Sequence, residues 1–217
     1  MLPFVATIIS ALLFGQPQPA AAANVAPSPT DASPPLAALP EPPPSYGAWL
    51  ARGDHARSVA TFERALAEHD IADVVPTFEI LRTAIDWQQC GAEEYELPDA
   101  ATWPGAFAAL AVIKTELVPI VGPVEIVSGY RDEALNACAG GSSGSVHRQF
   151  GAFDAFATGP ESRDEMIARL CAWHRDRGPA LQAGLGIYDG KKFHIDAGLK
   201  GFRTWGSDYH RASSPCV

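Results

Sequence analysis

The sequence predicts one α+β domain, with helices from its N-terminal part packed on a small, mainly antiparallel sheet. Three observations predict it. Apolar residues recur at helical spacing in three segments before residue 120; short β-branched or alternating runs bounded by glycine and proline follow from residue 124; and Asp189-Gly190 joins the last two runs as a hairpin signal.

The chain has 217 residues, 47% hydrophobic and 19% charged, enough for one core once its N-terminal region is set aside. Leu2 to Phe14 is an apolar run too short to span a bilayer comfortably, and the small residues Ala20 to Ala23 follow it as at a secretory cleavage site. Residues 1–23 therefore read as a signal peptide. The lack of Lys or Arg before the apolar run leaves a retained N-terminal anchor as the alternative. Residues 24–44, rich in Pro and Ala, cannot bury enough apolar surface to offset chain entropy and read as a linker. The folded domain is expected over 45–217.

Within that domain Val59, Phe62 and Leu66 mark a helix from about Ser58 to His69. Pro76 opens a second with Phe78, Leu81 and Ile85 on one stripe, and Pro104 a third carrying Phe107, Leu110, Ile113 and Leu117. Val124 to Val127 reads as a buried strand that delivers Tyr130 and Arg131 at its end, and Asp132 to Cys138 as a helix. The glycine-serine run Ala139 to Gly144 is a loop, and Phe150 to Phe156 a strand in which Ala152 and Asp154 share one face and Phe153 turns to the other. Ser162 and Glu165 form a capping box before the stripe Met166, Ile167, Leu170 and Trp173, with a stop expected near Gly178-Pro179. Gly184 to Tyr188 and Lys192 to Asp196 are the hairpin strands, the second with His194 and Asp196 on one face.

The formal charge of −9, from 16 Lys and Arg against 25 Asp and Glu, and the lack of a basic cluster exclude a nucleic-acid partner. No glycine-rich phosphate loop precedes a helix. Four cysteines behind an export signal predict two disulfides. Three connectivities are possible. Cys90 with Cys138 and Cys171 with Cys216 is preferred, since the first braces the segment leading to the histidine at 147 and the second ties the C-terminal tail to a helix. A Cys zinc site lacks any CxxC spacing.

The chemistry concentrates between Ser128 and Asp154, and again at His194. A histidine met singly is most often a satisfied core residue, and His55, His69, His174 and His210, without ligand spacing around them, are expected to face solvent. His147 and Asp154 instead stand six residues apart, and an aspartate among Phe150, Phe153 and Phe156 needs a cation or hydrogen bonds to be buried. With His194 they make a neutral-imidazole and carboxylate set that suits Zn2+ and leaves a fourth position for water. Arg131, at a strand end beside that set, is placed to hold a carboxylate bidentately.

Ser145-Val146-His147, Gly151 and Asp154 resemble the SxHxxxGxxxD element of the zinc D-alanyl-D-alanine carboxypeptidases and murein peptidases of the M15 type. Ser128-Gly129-Tyr130-Arg131 resembles their upstream SGYR element, and Phe193-His194-Ile195-Asp196 the segment of their last ligand, a likeness running from about Val74 to Gly206. It implies their hedgehog-like peptidase fold and zinc on His147, Asp154 and His194. Arg131 then grips a substrate carboxylate, and Ser145 either hydrogen-bonds substrate or shapes its loop. Hydrolysis of peptidoglycan stem peptides follows, most simply loss of a terminal D-alanine, by a periplasmic or secreted monomer that touches neither nucleic acid nor, unless the N-terminal segment is retained, membrane. A murein endopeptidase and a non-catalytic wall-binding protein are the alternatives. The chain departs from the pattern in one place: Lys191 stands three before His194, where many members carry an acidic general base. Two carboxylates remain nearby, Asp196 on the strand face of His194 and Asp189 in the preceding turn; Asp196 is the expected substitute, with an orienting role as its rival.

Overall fold

The computed structural model describes residues 39–217; the expected signal peptide and the linker as far as residue 38 lie outside the described residues. Helix α1 spans Pro44–Leu50 and α2 His55–Glu68, the latter burying Val59, Phe62 and Leu66 as its spacing predicts. A single turn, α3 (Thr77–Ile80), follows, then α4 (Trp103–Val112). The helix of α4 continues through a π turn, Ile113–Leu117, into α5 (Val118–Val121). Pro119 explains the irregularity: it has no N–H, and its ring would crowd the Thr115 carbonyl in a regular helix. This stretch is long and apolar enough to cross a membrane, but Ala106, Leu110, Ile113, Leu117 and Val121 are buried in the core.

Strand β1 (Val124–Ser128) leads to α6 (Glu133–Cys138), whose N-cap Asp132 accepts from the Leu135 amide. Next come β2 (Ala152–Ala157), α7 (Arg163–Leu181), β3 (Gly184–Ile187), β4 (Lys192–Asp196) and β5 (Arg203–Trp205). The sheet order is β1-β2-β4-β3-β5, antiparallel except for the parallel β3 and β5 pair. Helix α4 packs on β2 and β4, and α7 on β3. Phe153, Ala155, Phe193 and Ile195 are fully buried there, and strand alternation turns Asp154, His194 and Asp196 to the opposite face. Asp154 sits directly across from His194 in the register.

Both preferred disulfides are present, Cys90–Cys138 and Cys171–Cys216, and all four cysteines are thereby paired. They fit an exported protein.

Four expectations need correction. The second helix is one turn, because Leu81 and Thr83 leave it to hydrogen-bond with Glu96 and Glu94, so Ile85 is 52% exposed rather than on a core stripe. Helix α7 runs past Pro179, which near the helix end removes a single ladder bond; Gln182, left-handed at φ 48°, ends it instead. Phe150 is not in a strand but left-handed at φ 52°, turning the chain between His147 and β2. His174 does not face solvent: it is buried, hydrogen-bonded to the Ala183 carbonyl and stacked on Phe202. Strand β5, three residues long, was not expected at all.

Candidate metal centre

His147 stands in a single 3-10 turn, Val146–Gln149, capped by Ser145, whose Oγ accepts from the His147 amide at 3.3 Å. Its Nδ1 lies 2.6 Å from the Gly129 carbonyl. A carbonyl can only accept, so Nδ1 carries the proton and Nε2 presents a lone pair. Glycine is required at 129, because a Cβ there would sit 2.6 Å from the Ile80 carbonyl oxygen.

His194 is oriented from its other side. Its Nε2 donates to Asp196 Oδ2 at 3.0 Å, and Asp196, fully buried, is held by Arg203 through two guanidinium nitrogens at 3.0 and 2.5 Å. Nδ1 therefore faces inward with a lone pair, 2.9 Å from Asp154 Oδ1 and 3.2 Å from His147 Nε2. Asp154 Oδ2 accepts from Arg131 at 2.9 Å, which leaves Oδ1 for the cluster.

With His194 in this tautomer three acceptors converge without a donor between them, an arrangement relieved by a proton on Nδ1 or by a metal ion at its centre. Their separations are 2.9, 3.2 and 3.4 Å. A tetrahedral ion bound at about 2.0–2.1 Å has ligand–ligand edges of about 3.3 Å, so the triangle is already the size of one face of such a site. The set can hold a metal ion, and its fourth direction opens on a cavity of about 530 Å³.

The electrostatics of His147 and Asp154 agree with ligation. Burial, with the Arg131 charge beside it, pushes His147 down to about 4, so the ring is neutral. Burial alone would raise Asp154, but the two histidines outweigh it and hold the carboxyl well below its usual range. Burial opposes the charged form of His194, but the flanking Asp154 and Asp196 carboxylates overcome it and raise the group, so a metal ion must displace a proton from Nδ1 when it binds.

The structure brings His147, Asp154, His194, Arg131 and Ser145 to one cavity. Asp196 is beside them but turned to the outer nitrogen of His194 and to Arg203. Lys191 is elsewhere: its ammonium donates to the Gly159 and Glu161 carbonyls at 2.5 and 3.2 Å. Sequence reasoning missed Arg203 and Trp205 because it missed β5. Trp205 packs on His194 with ring centres 5.0 Å apart and donates through Nε1 to the Tyr188 hydroxyl at 3.2 Å. The carbonyl of Gly129 was also missed, although the SGYR segment that contains it was not.

Compared with known proteins, the chain matches the Peptidase M15 family model over residues 79–196, more than half its length and inclusive of all three converging side chains. No curated protein matches it significantly. The family's peptidases are zinc-dependent, and the matched segment carries a cluster able to hold a metal. The chain belongs to the M15 family of metallopeptidases.

Proposed function

We propose that this is a zinc peptidase acting on peptidoglycan stem peptides outside the cytoplasm, as a periplasmic or secreted monomer, and that it removes a terminal D-alanine. The observation that carries the reading is the convergence of His147 Nε2, Asp154 Oδ1 and His194 Nδ1 at the edge lengths of a tetrahedral site, open on one side to a cavity. Zinc bound there supplies a Lewis acid that polarises the scissile carbonyl and makes water a nucleophile near neutral pH.

The protein's own groups complete the chemistry. Arg131 lines the cavity and holds Asp154 through one terminal nitrogen, and its other terminal nitrogen, with no hydrogen bond among the described residues, is left to donate to substrate. The Tyr188 hydroxyl accepts from Trp205, which frees its proton for the carbonyl oxygen as negative charge develops. The attacking water needs a proton acceptor within the cavity. Asp196 is sealed between His194 and Arg203, and its role is to fix the ring. Lys191 is turned away, and we assign the acceptor to Asp86, the one carboxylate outside the ligand cluster that lines the cavity among the described residues. Ser145 shapes the loop that carries His147.

The engagement of Arg131 with Asp154 favours a second reading, a murein endopeptidase, since a guanidinium already committed closes less readily on a terminal carboxylate. Incubating the zinc-loaded protein with purified muropeptides and identifying products by mass separates the two. Loss of D-alanine supports the first reading and cleaved cross-links the second. No product from either leaves a non-catalytic wall-binding protein.

A further inference from the structure

The cavity beside the metal centre differs in charge from the rest of the molecule. The chain carries 16 basic against 25 acidic side chains, yet Arg131, Lys192, Lys200, Arg203 and Arg211 line this cavity with only Asp86 and Asp154. Two of the five are neutralised, Arg131 by Asp154 and Arg203 by Asp196. Lys192, Lys200 and Arg211 form no ion pair and no side-chain hydrogen bond among the described residues.

Separate elements aim these three at the same space. Lys192 lies on the β4 face shared by His194 and Asp196, its ammonium over the Tyr188 ring at 4.9 Å. Lys200 sits in the β4–β5 loop between two left-handed glycines, Gly198 and Gly201, and reaches the opposite loop, where a Cβ on Gly144 would be 2.9 Å from its ammonium. Arg211 opens the 3-10 turn Arg211–Ser213, fixed by the Thr204–Ser214 hydroxyl bond at 2.7 Å and the Cys171–Cys216 disulfide. One exposed lysine means little. Three cations round one cavity without a counter-charge repel each other, and salt weakens that repulsion. An anionic ligand removes the repulsion.

We propose that Lys192, Lys200 and Arg211 form a subsite for a substrate carboxylate, separate from Arg131, so that the enzyme selects stem peptides with free acids over their amidated forms. The proposal rests on the peptidase reading for its choice of ligand. It moves carboxylate recognition from the buried, already paired Arg131 to the cavity wall.

The test uses equilibrium binding to the zinc-loaded protein. The probes are a stem tripeptide that lacks the terminal D-alanine, so that no turnover intervenes, and its counterpart with the carboxylates amidated. The parent should bind the free acid about tenfold more tightly, with a preference that shrinks as salt rises. Lys192→Gln, Lys200→Gln and Arg211→Gln should each lose about twofold on the acid alone, and the triple variant should bind both peptides within twofold, its zinc content and melting temperature showing that it is folded. Equal binding of the two peptides by the parent, or an undiminished preference in the triple variant, overturns the subsite, and so does failure of both peptides to bind. Charge-selective binding supports it even if no muropeptide is ever cleaved, whereas cleavage without charge selectivity leaves the peptidase reading standing and removes this one.

Discussion

Replacing Asp196 by asparagine tests the division of labour in the metal centre. The carboxylate receives the His194 Nε2 proton at 3.0 Å and both ends of the Arg203 fork, and it is fully buried. Asparagine offers one oxygen where two groups need acceptors, and its amide nitrogen then faces a donor. Removing one partner of a buried ion pair costs about 3–5 kcal/mol. Arg203 keeps 29% of its side chain exposed and can recover hydration, so a loss of about 2 kcal/mol of stability is expected. His194 loses its fixed tautomer, which should weaken metal binding by about 10–100-fold. Zinc affinity from chelator competition, urea unfolding of the metal-free protein, and turnover at saturating zinc give the three readouts. Turnover per bound zinc should stay within about tenfold of the parent, whereas Asp86→Asn should lower it by about a hundredfold with zinc affinity intact. If Asp196→Asn leaves stability and zinc affinity unchanged but turnover collapses, Asp196 is the base after all and the orienting argument is wrong.

His147→Ala should reduce zinc stoichiometry to near zero, read by elemental analysis; full-affinity binding would sink the ligand assignment. Arg131→Lys keeps the charge but loses the fork that reaches Asp154 while leaving a second terminal nitrogen free, so turnover should fall by at least tenfold with zinc still bound, and parental rates would exclude the role. Glu79 is buried against β1, accepts from the Ile126 amide at 3.0 Å, and is pushed up to about 7 by burial, with Arg82 opposing and Glu125 adding to the rise. The folded state then binds its proton more tightly than the unfolded state, so stability is lost as pH climbs from the ordinary value of 4.5 to about 7 and stays lost above it. That shift bounds the loss at about 3 kcal/mol. Glu79→Gln should flatten the pH dependence of the urea midpoint and be the more stable protein at pH 8; an unchanged slope would refute the assignment. Thiol titration of the denatured, unreduced exported protein should find no free thiols, and four would contradict both disulfides.

Elements whose periodicity and boundaries agree were legible in the sequence. Helix α7 announces itself with the Ser162 and Glu165 capping box, and both of its reciprocal hydrogen bonds form. The alternation of β2 and β4 places Asp154 and His194 on one face, and the register puts them opposite each other. Residues whose partners are distant in sequence were not legible. Ile85 fits a helical stripe, but the Leu81–Glu96 and Thr83–Glu94 pairing wins over local propensity. His174 is absorbed by a carbonyl beyond the end of its own helix. Strand β5 has too few residues to show a period, and Arg203 and Trp205 went unnoticed with it. Lys191 breaks the family pattern in the sequence, but only the fold shows that it props the Gly159–Glu161 turn and leaves the reaction to others.

The two disulfides divide the site by the order in which it can mature. Asp154 and His194 sit on adjacent strands joined by ladder hydrogen bonds, and His147 is fastened to the Gly129 carbonyl, so no cross-link is needed to gather the ligands. Cys90–Cys138 instead secures the wall at residues 84–86 to the start of the glycine-serine loop, and Cys171–Cys216 secures the segment bearing Arg211. A chain still in a reducing compartment can therefore acquire its ion while the cavity that recognises substrate is unstapled. Oxidation then finishes the recognition surface, and the metallopeptidase becomes fully competent only in a compartment that lets its disulfides form.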